Sequence, residues 1–515
     1  MQLEPEPQQH EAPSSIPKQL EHAQTTTHIT QLDLKNQNLT SIPLQIRNAA
    51  HTLSKIDIGN NPIRSLQTLD KRFHKLKILF ATNCNLKTAL VHGNPLTTLP
   101  ALFMLSLKQN QLEHLDGMAL PPTLGWLIAT ENSIAGISNV ERLSNVRKLM
   151  LSHNRLDSSH VQEILMKIPK LEMLRIACNR LERMPPALSS HTHLAWIALA
   201  GNPFCQRLIE DRLRDESAAT VAHLDDASMV EVGETTLGQG SGAVVKRGVW
   251  NGKPVAVKLW TASHFSDGDA IGEWNMGRLT GGCEWIVRSL AAWNRPTLGM
   301  CVELLEDASA VAGPPSFESV TRDAFIEGKH PKLSAAEAIY VAIRVALACN
   351  WLHRHGIYHG DVYLHNTLRS TLNCEDSEVS YSELLNRDDV RLSDLGAATV
   401  YDVRLHYWLQ KIEVRSFGYL LLDLLSWLHN TDSGNESAIL RDKLVRGMTS
   451  CANASFLDSD VPQFEEIAWF LHQVLQCAIS GSECVEKLGV PLSTSQRGEV
   501  IAGFGFSKDV IADSN

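Results

Sequence analysis

Residues 358–368 read YHGDVYLHNTL, which sets a carboxylate, Asp361, five residues ahead of an amide, Asn366. A carboxylate at that spacing can orient an attacking hydroxyl while the amide oxygen holds a metal ion beside it, which is what phosphoryl transfer asks of a protein. A further acid, Asp394, sits in SDLG at 393–396. Upstream, LGQGSGAVVKRG at 237–248 reads as strand, glycine turn, strand. Gly238, Gly240 and Gly242 would let backbone amides approach phosphate oxygens that a Cβ holds away. In PVAVKLW at 254–260, Lys258 stands among Val255, Ala256, Val257 and Leu259, so it is expected to be partly buried and to need an anion. Glu273, fifteen residues on in a helical stretch, is the natural partner, and a phosphate is the other.

The order glycine loop, VAVK lysine, glutamate, His-x-Asp loop with its Asn, then SDLG resembles a eukaryotic-type protein kinase over about residues 230–480. The resemblance implies an ATP site formed by Leu237, Gly238, Gly240, Gly242, Val245, Ala256, Lys258 and Glu273. It likens Val302–Leu305 to the hinge, so that Glu303 and Leu305 would meet adenine. It makes Asp361 the catalytic base and Asn366 and Asp394 the ligands of Mg2+. EVRSFG at 413–418 resembles the start of the large lobe's central helix.

The chain departs from that pattern at several positions. Ala243 stands for the third glycine and Leu395 for the Phe of the metal-binding motif. Gly360 stands for the Arg before the base, and Tyr363 for the Lys two residues after it. Glu413 follows Asp394 by only 19 positions, with no Ala-Pro-Glu-like triplet, so the activation segment is short. The expectation is an ATP-dependent, serine/threonine-directed protein kinase. The alternatives are a pseudokinase scaffold and, because HGDxxxxN also resembles the loop of aminoglycoside and choline kinases, a small-molecule phosphotransferase.

What precedes this segment is periodic. Leu102-Leu105-Leu107-Asn110-Leu112, Val146-Leu149-Leu151-Asn154-Leu156, Leu171-Leu174-Ile176-Asn179-Leu181 and Leu194-Ile197-Leu199-Asn202-Phe204 share one spacing. Gln37, Asn61, Cys84 and Asn132 hold the Asn slot in weaker copies, which gives eight copies at intervals of 22 to 26 residues. The pattern is similar to the leucine-rich repeat, in which no copy buries its apolar face alone and neighbours must stack. The outward strand positions Asp33, Asp57, Phe80, Ser106, Ile128, Met150, Arg175 and Ala198 should line a concave face, expected to bind a protein partner.

The domain reading is a disordered Pro/Gln-rich arm at 1–27, a solenoid at 28–212, a linker at 213–229, a kinase-like domain at 230–485 and a tail at 486–515. The fold class is therefore an α/β leucine-rich repeat solenoid plus an α+β bilobal kinase-like domain. Residues 28–212 carry 21 Lys and Arg against 13 Asp and Glu, a net of +8; the whole chain is −10, so the remainder is −18. The ten Cys are scattered without a CxxC pair, which argues against a disulfide framework or structural zinc and for a reducing compartment. The N-terminus MQLEPEPQQH lacks the basic-then-apolar run of a signal peptide. Ala335 to Leu352, the most apolar long stretch, contains Glu337 and Arg344 and reads as a buried helix. The expected location is cytoplasmic, with no membrane span and no nucleic-acid partner.

Overall fold

The computed structural model describes residues 29–87, 95–214, 221–240, 242–370, 387–429, 438–455 and 461–480. The expected arm at 1–27 and tail at 486–515 lie outside the described residues. The chain forms two compact units, Met1–Val146 and Arg147–Asn515. The division falls inside the repeat series, between its fifth and sixth strands, and not at 212 where the periodicity ends.

In the first unit the strands Gln31–Asp33, Lys55–Asp57, Ile78–Phe80, Met104–Ser106 and Trp126–Ile128 pair parallel and in register, Leu32 beside Ile56, Leu79, Leu105 and Leu127. Those aligned residues are fully buried or nearly so. In the second unit Lys148–Met150, Met173–Arg175 and Trp196–Ala198 pair the same way. Their outward positions behave differently from those of the first strands. Asp33 is exposed, Asp57, Phe80, Ile128 and Met150 are half-buried and Ser106 is buried, whereas Lys148, Met173, Arg175, Trp196 and Ala198 are all buried. Lys148, Arg175, Trp196 and Ala198 are covered by the C-terminal part of the same unit, at Val320, Asp361, Tyr363 and Ala397.

That part begins earlier than the expected linker allows. Ala222–His223 within residues 213–229 pairs parallel with Ser289–Trp293, and Val221, Leu224 and Val230 are buried. The sheet runs Ala222–His223, Ser289–Trp293, Gly299–Val302, Lys253–Trp260, Ala243–Trp250, Glu231–Gln239, antiparallel after the first pair. The remainder is helical around Ala335–Arg354, capped by Ser334 and Glu337 in a reciprocal box, with Leu409–Ser426 and Phe464–Ser480 packed on it. Ala335–Arg354 is long and apolar enough to cross a membrane, yet 78% of that apolar window is buried among its neighbours, as expected for a core helix.

The slot asparagines hold the repeats together. Asn110 accepts from Cys84 N and Leu86 N at 3.0 and 2.9 Å and donates to the carbonyls of Ala81, Leu107 and Lys108. Each amide thus satisfies backbone groups of its own turn and of the preceding repeat, which no sheet bond reaches. Cys84 fills the slot with a thiol that donates to Ile58 O at 3.2 Å. The residue before each slot takes the left-handed conformation in all eight copies. Asn36, Asn60, Asn83, Gln109, Glu131, His153 and Cys178 have φ between 53 and 57°, and Gly201 has 69°.

Two outcomes follow from this packing. Asn110→Ala should lower stability by at least about 2 kcal/mol, because it strands buried N–H and C=O groups, whereas Gln37→Ala, at an exposed slot, should stay within about 0.5 kcal/mol. Urea midpoints of the two variants measure the difference, and equal midpoints would dismiss the ladder. Lys148 supplies the second outcome. Burial and the charge of Arg175 lower its pKa to about 8, against roughly 10.4 in the unfolded chain. Between those values the unfolded chain binds the extra proton, so this group makes stability rise with pH through that window. Lys148→Met should therefore melt above wild type at pH 7, with the gap closing from about pH 8 to about pH 10; a gap independent of pH would clear Lys148 of the burden.

Candidate active site

Lys258 and Glu273 meet as expected. The strand Lys253–Trp260 and the helix Ala270–Thr280 bring the Nζ onto Glu273 Oε1, and Trp260 Nε1 donates to Oε2 at 2.8 Å. Burial opposes the Lys258 charge, but Glu273 and then Asp394 outweigh it, and its pKa is raised. Asp394 is therefore close enough to act on the lysine; its backbone is left-handed (φ 64°) and its Oδ1 accepts from Gly396 N at 3.1 Å. The glycine turn joins two antiparallel strands, with Gly238 opposite Val245 and Val245 opposite Lys258. Leu237 is exposed, and a Cβ on Gly238 would meet nothing within 4 Å. Ala256 is buried opposite Val302, where Glu303 and Leu305 follow as half-buried chain without strand structure. The Glu303 carboxylate is held by Arg391 Nε at 3.0 Å and by Arg288.

Asp361 and Asn366 also converge. Asn366 Nδ2 donates to Asp361 Oδ2 and to Asp361 O, each at 2.9 Å, which assigns the amide's Oδ1 to the other side. Asp323 fixes the loop, accepting from Leu364 N at 2.7 Å and pairing with His365 Nδ1 at 2.6 Å. Glu413, at the start of the helix Leu409–Ser426, accepts from Gly360 N at 2.8 Å and pairs with His353.

One partner of Asp361 has no counterpart in the sequence reading. Arg175, on a repeat strand, sets its Nη2 on Asp361 Oδ1, donates from Nη1 to Gly360 O at 3.3 Å, and holds Nε 3.0 Å from Asp267 Oδ1. Burial opposes the guanidinium charge, and Asp267 and Asp361 overcome it, so its pKa is raised. Burial likewise opposes ionised Asp361, but Arg175 and then His365 hold its pKa below the usual carboxylate range. Burial, with Asp361 and Asp394 adding repulsion, leaves Asp267 raised despite Arg175. Arg175 was expected on a face open to a partner; instead it and Ala198 are covered by the chain's own loops.

The two departures at the loop have a physical cause. Gly360 is left-handed (φ 78°), and a Cβ there would stand 2.8 Å from Ile197 O and 3.0 Å from Ala397 O. An arginine has no room. Tyr363 is buried, its ring stacked on Trp196 at 4.7 Å and 3°, its hydroxyl donating to Thr321 O at 2.9 Å. Trp196 also stacks on Tyr419 and donates from Nε1 to Val362 O.

The residues fit a nucleotide and a magnesium ion in part. Open space at Gly238, the Lys258–Glu273 pair, Asn366 with its amide nitrogen turned to Asp361, and Asp394 form a matching donor set. Among the described residues no group of three His, Cys, Asp or Glu side chains stands ready for a metal. Between glycine loop and SDLG, however, stands Phe265. A Cβ on Gly242 would meet its ring at 2.5 Å and one on Gly396 at 3.6 Å. A cleft of about 720 Å3, lined by His153, Cys178, Trp260, His264, Asp269 and Asn275, includes neither Lys258 nor Asp361.

No protein-family model matches this chain. It is 34% identical to osteomodulin of Bos taurus over 130 residues, 25% of this chain and 30% of that protein. Podocan-like protein 1 of Mus musculus is 30% identical over 163 residues, 30% of this chain and 28% of that protein. Chaoptin of Drosophila melanogaster is 28% identical over 183 residues, 34% of this chain and 13% of that protein. The chain thus spans about 30% or less of the length of these curated relatives. They are leucine-rich repeat proteins, and this chain carries a leucine-rich repeat region.

Proposed function

We propose that the C-terminal segment is a bilobal protein-kinase-like domain and that the protein is an ATP-dependent, serine/threonine-directed protein kinase coupled to leucine-rich repeats. The observation that carries this is the convergence of two separately predicted pairs, Lys258 with Glu273 and Asp361 with Asn366, with Asp394 acting electrostatically on the lysine. In this reading Lys258, fixed by Glu273, grips the α/β-phosphates through a charge-assisted contact. Asp361, kept ionised by its lowered pKa, accepts a hydrogen bond from the attacking hydroxyl and orients it. Asn366 and Asp394 would hold Mg2+, which when bound offsets charge on the phosphate oxygens. Leu237, Val245 and Ala256 would border the base, with Glu303 and Leu305 along its edge. The domain would need no activating phosphate in its short segment: Thr399 and Tyr401 are buried, and Tyr407 is exposed beside no arginine from the Gly360 position.

The repeats would bind a protein ligand on the face that carries Asp33, Asp57 and Phe80, consistent with the relatives being repeat proteins. Cytoplasmic placement accords with the free thiols of the seven described cysteines. A second reading, a pseudokinase scaffold, is favoured by one observation: both oxygens of Asp361 are already engaged, by Arg175 and by Asn366.

Purified full chain with Mg2+, labelled ATP and a generic protein substrate separates the two. Wild type should turn over, Asp361→Asn should not, and Lys258→Ala or Glu273→Ala should lower kcat/KM at least ~10²-fold, about 2.7 kcal/mol at the barrier. Equal inertness of wild type and Asp361→Asn with nucleotide still bound would leave the scaffold reading standing.

A further inference from the structure

The loop 261–269, between the Lys258 strand and the Glu273 helix, enters the space where the proposed reaction would occur. Phe265 lies between Gly242 and Gly396, and Gly268 packs so tightly on the SDLG segment that a Cβ there would stand 2.3 Å from Gly396 O. The repeats hold this loop from three sides. His153 Nε2 is 3.0 Å from Phe265 O and 2.9 Å from Gly268 O; two carbonyls can only accept, so that nitrogen carries the proton. Arg175 grips Asp267, and Cys178 Sγ donates to Asp269 Oδ2 at 3.2 Å. The same strands cap the catalytic loop, with Arg175 on Asp361 and Trp196 over Tyr363. Arg415, at the head of the helix Leu409–Ser426, closes the contact by donating to the carbonyls of Leu194 and His191.

A substrate hydroxyl needs a free oxygen of Asp361 and a phosphoryl group needs room between the glycine loop and Asp394. In this arrangement Asp361 Oδ1 belongs to Arg175, and Phe265 stands in that room. Asp361 is itself only 6% exposed. On the reading under Proposed function, we propose that the last three repeats are an autoinhibitory clamp. They seat loop 261–269 in the cleft and cap the base with Arg175, and phosphoryl transfer requires their release. The contacts are polar and stacked around small patches, which suits a reversible closure better than a permanent one.

The full-length chain tests this with three variants, His153→Ala, Trp196→Ala and Arg175→Ala, in the transfer assay and by hydrogen exchange at residues 261–269 and 359–366. The clamp requires that His153→Ala and Trp196→Ala raise kcat/KM at least about fivefold, by shifting the population toward the open form. Exchange in both segments should rise in all three variants. Loss of turnover in Arg175→Ala, with the other two unchanged, would mean that the guanidinium serves the chemistry as a cation, and the clamp would be overturned. If no form turns over ATP or binds it, the kinase reading falls and exchange alone decides: protection lost supports the clamp, protection retained refutes it.

Discussion

The guanidinium of Arg175 between Asp267 and Asp361 is the constraint on which the second unit depends. A charge almost wholly withdrawn from water is tolerable only with close anions and hydrogen bonds on several sides. Arg175 has a repeat strand behind it, the loop of Gly360 and Asp361 before it and loop 261–269 beside it. Displacing any of the three leaves Arg175 or one of its carboxylates without its counter-charge. The burial of Lys148, Trp196 and Ala198 follows from the same seating. So does the unit boundary at Val146, which places the last three repeats with the C-terminal segment although their sequence belongs to the solenoid.

Much of the candidate site was legible because its determinants are local or are carried by residue type. A lysine in an apolar strand must find an anion, and Glu273 is one helix away. The spacing of Asp361 and Asn366 suffices for the amide to reach both the carboxylate and the backbone of the aspartate. The repeat period was legible for the same reason, since each slot amide ties its own turn to the one before. Arg175, Asp267 and His153 were not legible. Arg175 meets a partner 186 residues away, and its strand looks like any other outward strand position. The only trace was chemical: an arginine among otherwise mixed outward residues. The strand Ala222–His223 was not legible for a related reason, because two residues paired with Ser289–Trp293 leave no periodicity to detect.

The left-handed residue before each slot asparagine carries a second consequence. Seven of these eight positions hold a residue with a side chain, each conformation costing something that the ladder offsets. The turn is therefore rigid and throws its side chain out at a fixed angle. At most copies that side chain is a polar surface group. At the sixth and seventh it is His153 and Cys178, and both reach the loop 261–269. A position required by repeat geometry is here reused to hold a foreign loop. Its sequence variety, Asn, Gln, Glu, His, Cys and Gly, reflects the geometry being met by the backbone, which leaves the side chain free for other work.

Gly360 and Tyr363 look like losses when the loop is compared with kinases alone, since an arginine and a lysine are gone. The packing gives them another meaning. Without a Cβ, Gly360 lets Ile197 O approach and leaves its own carbonyl to Arg175. Tyr363 offers the flat surface on which Trp196 stacks, and its hydroxyl reaches Thr321 O. A lysine at 363 would put a second cation near Arg175 and remove that stacking, so the aromatic and the arginine are consistent only with each other. The cation beside Asp361 is Arg175, brought by the repeats. In the proposed open form Asp361 would keep Asn366 and the nearby His365 but lose Arg175, the first of the charges that hold its pKa down. Release of the proposed clamp would therefore alter the acidity of Asp361 as well as its accessibility, and a substitution at Arg175 alone changes both.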